Sequence, residues 1–269
     1  MSWLTKCIGL ASILLLASCS SDSEDLTGQC SAIGLSEKSS TDFVAKISNG
    51  RECTDAQKSP VVAIIQRTPN GSSGLCTGTL ITPTQVLTAA HCLVDAATVD
   101  VIYGVAPERY ARMSGSSWVI HPQFAQTASG RLLYDIGVIN LLNPLPISPL
   151  PILSSTTPQN GQRATIAGFG LTAGNASDGG VLRVGAQALA SVEPEIIIAV
   201  SEEGSSNTCF GDSGGPLLVQ QNGQAQLIGT TSYGSSNSCA LGELTVYMNL
   251  QSATLQNFLR RYAPGAKYN

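Results

Sequence analysis

The chain has 269 residues with 27 Gly, 13 Pro and only 12% charged residues, against roughly 25% in soluble domains at large; disorder is not expected as its dominant state, and the length admits one large domain or two of ordinary size. Sparse charge with abundant Gly, Ser and Thr suits an all-β secreted protein better than a helical bundle. With 14 Lys+Arg against 18 Asp+Glu the formal net charge is −4, which leaves no basic field for neutralising phosphates and argues against nucleic acid as a partner.

At the N-terminus, Lys6 precedes a ten-residue apolar run, Ile8 to Ala17, that ends in small residues. This is the pattern of a signal peptide, expected over residues 1–18. The run is about half of the roughly 20 residues needed to cross a bilayer, so no permanent span is expected there. Its end, Leu16-Ala17-Ser18-Cys19, resembles the lipobox of bacterial lipoproteins. The resemblance implies cleavage before Cys19, acylation of that cysteine by more than one chain, and a mature protein anchored to a membrane of the cell envelope, outside the cytoplasm. Six cysteines then remain: Cys30, Cys53, Cys76, Cys92, Cys209 and Cys239. An oxidising compartment favours three disulfides among them, although the count alone allows about fifteen pairings. No two of the six stand two to four residues apart, and the chain has 2 His, His91 and His121, so no metal site is expected.

Residues 19–46 are Ser-rich and polar, with an acidic cluster at Asp22, Glu24 and Asp25 and no hydrophobic period; a flexible tether spanning on the order of 30 Å is expected. From Val61 onward, short apolar or alternating runs recur between turn residues: Val61–Ile65, Gln85–Thr88, Val99–Tyr103, Trp118–Ile120, Ile136–Ile139, Ala164–Ala167, Glu195–Val200, Pro216–Val219, Leu227–Ile228 and Thr245–Met248. Such spacing points to antiparallel barrels or sandwiches. Asn143–Pro151 carries four prolines, cannot be a central strand, and reads as a connection between halves. At the end of the chain Leu255, Phe258, Leu259 and Tyr262 fall at i, i+3, i+4 and i+7, one face of a terminal helix.

Two segments stand out for nucleophilic catalysis, Thr88-Ala-Ala-His-Cys92 and Gly211-Asp-Ser-Gly-Gly-Pro216, with Tyr134-Asp-Ile-Gly-Val-Ile139 between them. A serine hydroxyl is a weak nucleophile at neutral pH and needs a base within hydrogen-bond reach; an imidazole can take its proton and return it to a leaving amine. These segments resemble the histidine, serine and aspartate motifs of trypsin- and chymotrypsin-like serine peptidases, in the family's order. The likeness runs from about Ile47 to the end of the chain. It implies an all-β fold of two six-stranded antiparallel Greek-key barrels with a C-terminal α-helix: first barrel about 47–142, second about 152–249, helix about 250–262. It implies His91, Asp135 and Ser213 as a triad and the N–H groups of Gly211 and Ser213 as the oxyanion hole. Ser232 and Gly234 would bind substrate backbone. Two disulfides follow by the same comparison, Cys76–Cys92 and Cys209–Cys239, which leaves Cys30 and Cys53 to each other.

Ile47-Ser-Asn-Gly50, preceded by Lys46, resembles the family's activation sequence. Cleavage after Lys46 would free the amine of Ile47 to pair with Asp212. The sequence departs from the pattern at Ser48 and Asn49, so an unprocessed strand start is the competing reading. In the primary specificity pocket, Asn207 takes the position at the bottom where trypsin-like members carry aspartate, with Gly234 and Thr245 on the walls, so a small or medium uncharged residue is expected before the scissile bond. Glu243 offers a different outcome: pointing inward it would restore a basic preference, whereas a solvated loop carboxylate would not. No cofactor is expected, since Glu108 stands nearly alone where calcium-dependent relatives cluster acids. The partners implied are a protein or peptide substrate, an activating protease and, through Cys19, a membrane; a monomer is expected. Two other functions compete: a catalytically silent surface binding module on the same fold, and a dedicated activator protease with a narrow substrate range.

Overall fold

In the computed structural model, which describes residues 30–37, 47, 50–54, 58–103, 111–202 and 205–269, the runs pair antiparallel into barrels that bury their apolar faces inside the closed sheets. The strands in the first part of the chain are β1 (Ser36–Glu37), β2 (Arg51–Thr54), β3 (Val61–Arg67), β4 (Ser73–Thr82), β5 (Gln85–Thr88), β6 (Thr98–Tyr103), β7 (Ala111–Ile120), β8 (Ala125–Gln126), β9 (Leu132–Leu133) and β10 (Gly137–Leu141). The second part contributes β11 (Arg163–Gly168), β12 (Arg183–Val192), β13 (Ile196–Val200), β14 (Pro216–Gln221), β15 (Gln224–Gly234), β16 (Leu244–Asn249) and the helix α1 (Ala253–Tyr262).

Six strands close the first barrel in the order β10-β5-β4-β3-β6-β7. The second runs β12-β11-β14-β15-β16-β13 and closes through β12 and β13. Ile64, Leu80, Val86 and Ile139 fill the first barrel, and Ile166, Leu189, Ile197, Leu217, Ile228 and Tyr247 the second. A third apolar cluster, with Leu87, Val138, Phe169, Leu218, Met248 and Phe258, is made by residues of both barrels and the helix. The proline-rich connection forms no strand and crosses between the barrels with Leu145 and Leu150 buried; their N–H groups donate to Pro83 and Leu80 of the first barrel. On α1 the stripe Leu255, Phe258, Leu259 is buried. The Phe258 ring lies 5.0 Å from that of His121, at the end of β7, and so ties the chain's end to the first barrel. Burial there holds the His121 imidazole below its ordinary pKa.

Two expectations are corrected. The first barrel starts at Val61 rather than 47, because Ile47 packs in the core of the second barrel and β2 pairs with β12, Arg183 opposite Glu52. The expected tether is in part a packed element. Cys30–Ile33 form a 3-10 turn, β1 pairs with β2, and Cys30, Ile33 and Leu35 are buried. Eight residues are too few to display a period, and the Cys30–Cys53 disulfide holds them in place. The signal-peptide region, Cys19, Lys46 and Glu108 lie outside the described residues. Among those described, no helix is long and apolar enough to cross a membrane.

Candidate active site

His91 sits in a single 3-10 turn, Ala90–Cys92, directly after β5. Its neighbour Cys92 is bonded to Cys76 of β4, so the turn is pinned to the barrel wall. Asp135 lies just before β10. Tyr134 adopts a positive φ of 50° and its carbonyl accepts from the N–H of Ile136 at 2.8 Å, a tight turn that sends Asp135 inward, to 0% exposure. The Tyr134 ring is fixed by stacking on His121 at 5.1 Å. Three donors converge on the buried carboxylate: His91 Nδ1 at 2.7 Å and Ser232 Oγ at 2.6 Å on Oδ2, and the His91 backbone N–H at 2.9 Å on Oδ1. A carboxylate out of water requires such partners. Ser232 reaches it because β15 bulges between Thr231 and Tyr233, which re-aims the side chain.

Ser213 is carried by the turn that precedes β14. Gly211 has φ +98°, and a Cβ there would meet the Cα of Gly170 at 2.9 Å, so conformation and space both demand glycine. At Gly214, φ +81°, a Cβ would meet Thr88 Oγ1 at 2.0 Å. Thr77 of β4 docks this turn onto the first barrel: its N–H donates to Ser213 O at 2.8 Å, and its hydroxyl donates to Gly211 O at 2.8 Å while accepting from Phe169 N–H at 3.1 Å. Among the described residues, neither the Gly211 nor the Ser213 N–H has a backbone acceptor. His91 and Ser213 open onto one cavity of about 330 Å³, whose walls include Leu132, Phe210, Thr208 and Tyr233. Gly234 and Ser232 line it as well, and the Cys209–Cys239 disulfide braces one side. The sulfurs of Cys76 and Cys92, near His91, are spent in a disulfide and offer no thiolate to a metal.

Of the expected pocket residues, Gly234 lines the cavity. Asn207 and Thr245 are 2% and 1% exposed and do not line the cavity; Thr208 does. Thr245 Oγ1 donates to Asn207 Oδ1 at 3.1 Å and lies 2.8 Å from Thr208 Oγ1. Asn207 also accepts from Gln187 Nε2 at 3.1 Å and from Thr208 N–H at 3.0 Å, and donates to Ala240 O at 2.8 Å. Glu243 does not enter the cavity. It accepts from the hydroxyls of Ser236 and Ser238, which hold its carboxyl below the usual range.

Asp212 is 2% exposed, with Oδ1 accepting from Gly170 N–H and Oδ2 from Cys209 N–H, both at 2.8 Å. Burial pushes its carboxyl up to about 6, against the lowering by those two N–H groups and by Arg183. Ile47 is 1% exposed at φ 46°. Sequence reasoning missed Thr77 and Arg183. The stretch Cys-Thr-Gly-Thr around Thr77 in β4 carries no apolar period to mark it, and a buried arginine runs against the expectation for its type.

Comparison with known proteins agrees with this architecture. The trypsin family model matches residues 47–256. A chymotrypsin of Phaedon cochleariae is 33% identical over 214 residues, 71% of this chain and 74% of that protein. A trypsin of Saccharopolyspora erythraea is 32% identical over 210 residues, 69% of this chain and 86% of that protein. The solved structure of HL collagenase shares the fold, with a TM-score of 0.68 at 24% identity, over 81% of this chain and 99% of that one. The three disulfides fit a protein made for an oxidising, extracytoplasmic compartment, and the chain belongs to the trypsin family of serine endopeptidases.

Proposed function

We propose that the chain hydrolyses peptide bonds through an acyl-enzyme, with Ser213 as nucleophile, His91 as base and then acid, and Asp135 holding His91. The observation that carries this reading is the 2.7 Å contact between Asp135 Oδ2 and His91 Nδ1 at the edge of a cavity that Ser213 also lines. With Nδ1–H committed to the carboxylate, Nε2 is left as the acceptor that takes the Ser213 Oγ proton as Oγ bonds to the scissile carbonyl carbon. The carbonyl oxygen becomes an anion facing the N–H groups of Gly211 and Ser213. Collapse breaks the C–N bond, and the proton on His91 leaves with the amine; water then repeats the cycle, releasing the acid and restoring Ser213. Ser232 and Gly234, on the cavity wall, would offer backbone groups to the substrate.

A pocket closed at Thr208 by Thr245 favours a small uncharged side chain before the scissile bond. Thr245→Gly is therefore expected to open it towards Asn207 and raise kcat/KM for Phe or Leu substrates about tenfold or more while leaving Ala substrates nearly unchanged. An unchanged Phe-to-Ala ratio in a peptide-panel assay would refute the shallow pocket. Efficient labelling of Ser213 beside no cleavage of any mixed peptide would instead mark a dedicated activator protease.

Activation by a cut after Lys46 fits the setting of Ile47. Its side chain already sits in the second-barrel core, at a positive φ that costs a β-branched residue on the order of 1–3 kcal/mol. That torsion ceases to exist once the Lys46–Ile47 bond is broken, and the new amine would pair with Asp212. Among the described residues no carboxylate lines the cavity to favour lysine, so a second protease would make the cut. Because Cys30 is bonded to Cys53, the cut segment would stay attached, and a lipid on Cys19 would keep the enzyme on its membrane.

A further inference from the structure

Among the described residues Arg183 is a fully buried arginine, at 0% exposure. It stands at the start of β12, opposite Gly168 of β11 on one side and Glu52 of β2 on the other. Its Nη1 donates to Gly170 O and its Nη2 to Asp178 O, each at 2.8 Å, with the Asp178 carboxylate 3.6 Å from Nη2. Gly170 in turn gives its N–H to Asp212. One glycine residue thus links the guanidinium to the carboxylate beside Ser213.

Burying an arginine is costly, and its Nε has no acceptor among the described residues. A side chain kept only for packing would be apolar. Its ion-pair partner is Asp178, with Glu52 and Asp212 acting from farther off; Arg183 is in turn a cation acting on Asp212, to which it is linked through Gly170. In the uncut chain the nitrogen of Ile47 is an amide and carries no charge, so it cannot compensate a buried Asp212. Yet the Ser213 turn already has Gly211 in the left-handed conformation, with both Asp212 oxygens bonded to backbone N–H groups.

We infer that Arg183 is a positioning residue that supplies the countercharge for Asp212 before the cut after Lys46, so that the uncleaved protein already has a formed oxyanion hole and peptidase activity. The inference rests on the assignment of Ser213 as the nucleophile. Cleavage then adds a second cation, the Ile47 amine, to a turn that is largely assembled. The protein works as a peptidase of low latency rather than as a silent precursor.

The test compares rates of Ser213 labelling by a fluorophosphonate in full-length protein, uncut through Lys46→Gln or cut after the native Lys46. Uncut K46Q is expected to label within about tenfold of the cut protein, and K46Q combined with Arg183→Met about tenfold or more slower than K46Q alone, since misplaced oxyanion donors cost at least that much. Cut R183M is expected to label close to the cut wild type, because the Ile47 amine now supplies the charge; this recovery also shows that R183M folds. K46Q with Arg183→Lys, which keeps the charge, should resemble K46Q. Equal labelling of K46Q with and without R183M would overturn the inference, as would an equal loss in cut and uncut R183M, which marks a packing role. If the cut wild type fails to label, the nucleophile assignment fails and the inference falls with it.

Discussion

Asp135→Asn is expected to lower kcat by about 10⁴-fold with little change in KM, because it removes the acceptor that fixes the tautomer of His91. All three groups that meet this carboxylate are donors: the His91 N–H, His91 Nδ1 and Ser232 Oγ. An amide offers one acceptor oxygen and brings two hydrogens of its own. If its oxygen stays with the His91 backbone, its NH₂ faces Nδ1 and forces the ring proton onto Nε2, where it blocks the acceptor that Ser213 needs. Folding should survive, since the amide has the same shape. Steady-state kinetics on a small peptide ester or amide checks this; a loss of less than tenfold would mean that His91 does not depend on Asp135.

Gly211→Ala is expected to cost about 10²- to 10³-fold in kcat, the range for loss of an oxyanion donor. Two features oppose a methyl there: φ is +98°, which an L residue adopts at a cost, and the Cβ would stand 2.9 Å from the Gly170 Cα and 3.1 Å from Leu75 Cδ2. Relief requires the Gly211 peptide to rotate, which turns its N–H away from the cavity. The Ser213 turn remains tethered by Thr77 through two hydrogen bonds and by the Cys209–Cys239 disulfide, so a stability loss smaller than the activity loss is expected. Equal kcat in the variant would show that this N–H takes no part in the reaction.

The double barrel and the residues around the cavity were legible to different depths. Segments Thr88–Cys92, Tyr134–Ile139 and Gly211–Pro216 are contiguous and chemically distinctive, and they mark the parts of the two barrels that meet at the cavity. Strand β5 coincides with the run Gln85–Thr88, whose adjacent Val86 and Leu87 are both buried. Strands β4 and β12 were not visible: β4 is Ser, Gly, Cys and Thr for most of its length, and β12 begins Arg-Val-Gly-Ala-Gln. Small residues there leave room for neighbouring side chains, Val86 and Ile64 at Gly78 and Ser206 at Gly185, and long-range pairing rather than local preference makes these segments strands. Counting along the chain found Asn207 and Thr245, but pocket depth depends on how Thr245 Oγ1 meets Thr208 across the sheet, which no linear spacing encodes. The same holds for Arg183, whose partners are set by barrel register.

The most direct test of the account is the intact mass of the protein cut after Lys46 following exposure to a serine-directed phosphonate. A single adduct is expected that maps to Ser213, is absent in Ser213→Ala and forms far more slowly in Asp135→Asn. A folded protein, its three disulfides intact, that takes up no phosphonate would contradict the central claim that Ser213 is an activated nucleophile, and would leave the trypsin fold serving as a binding surface.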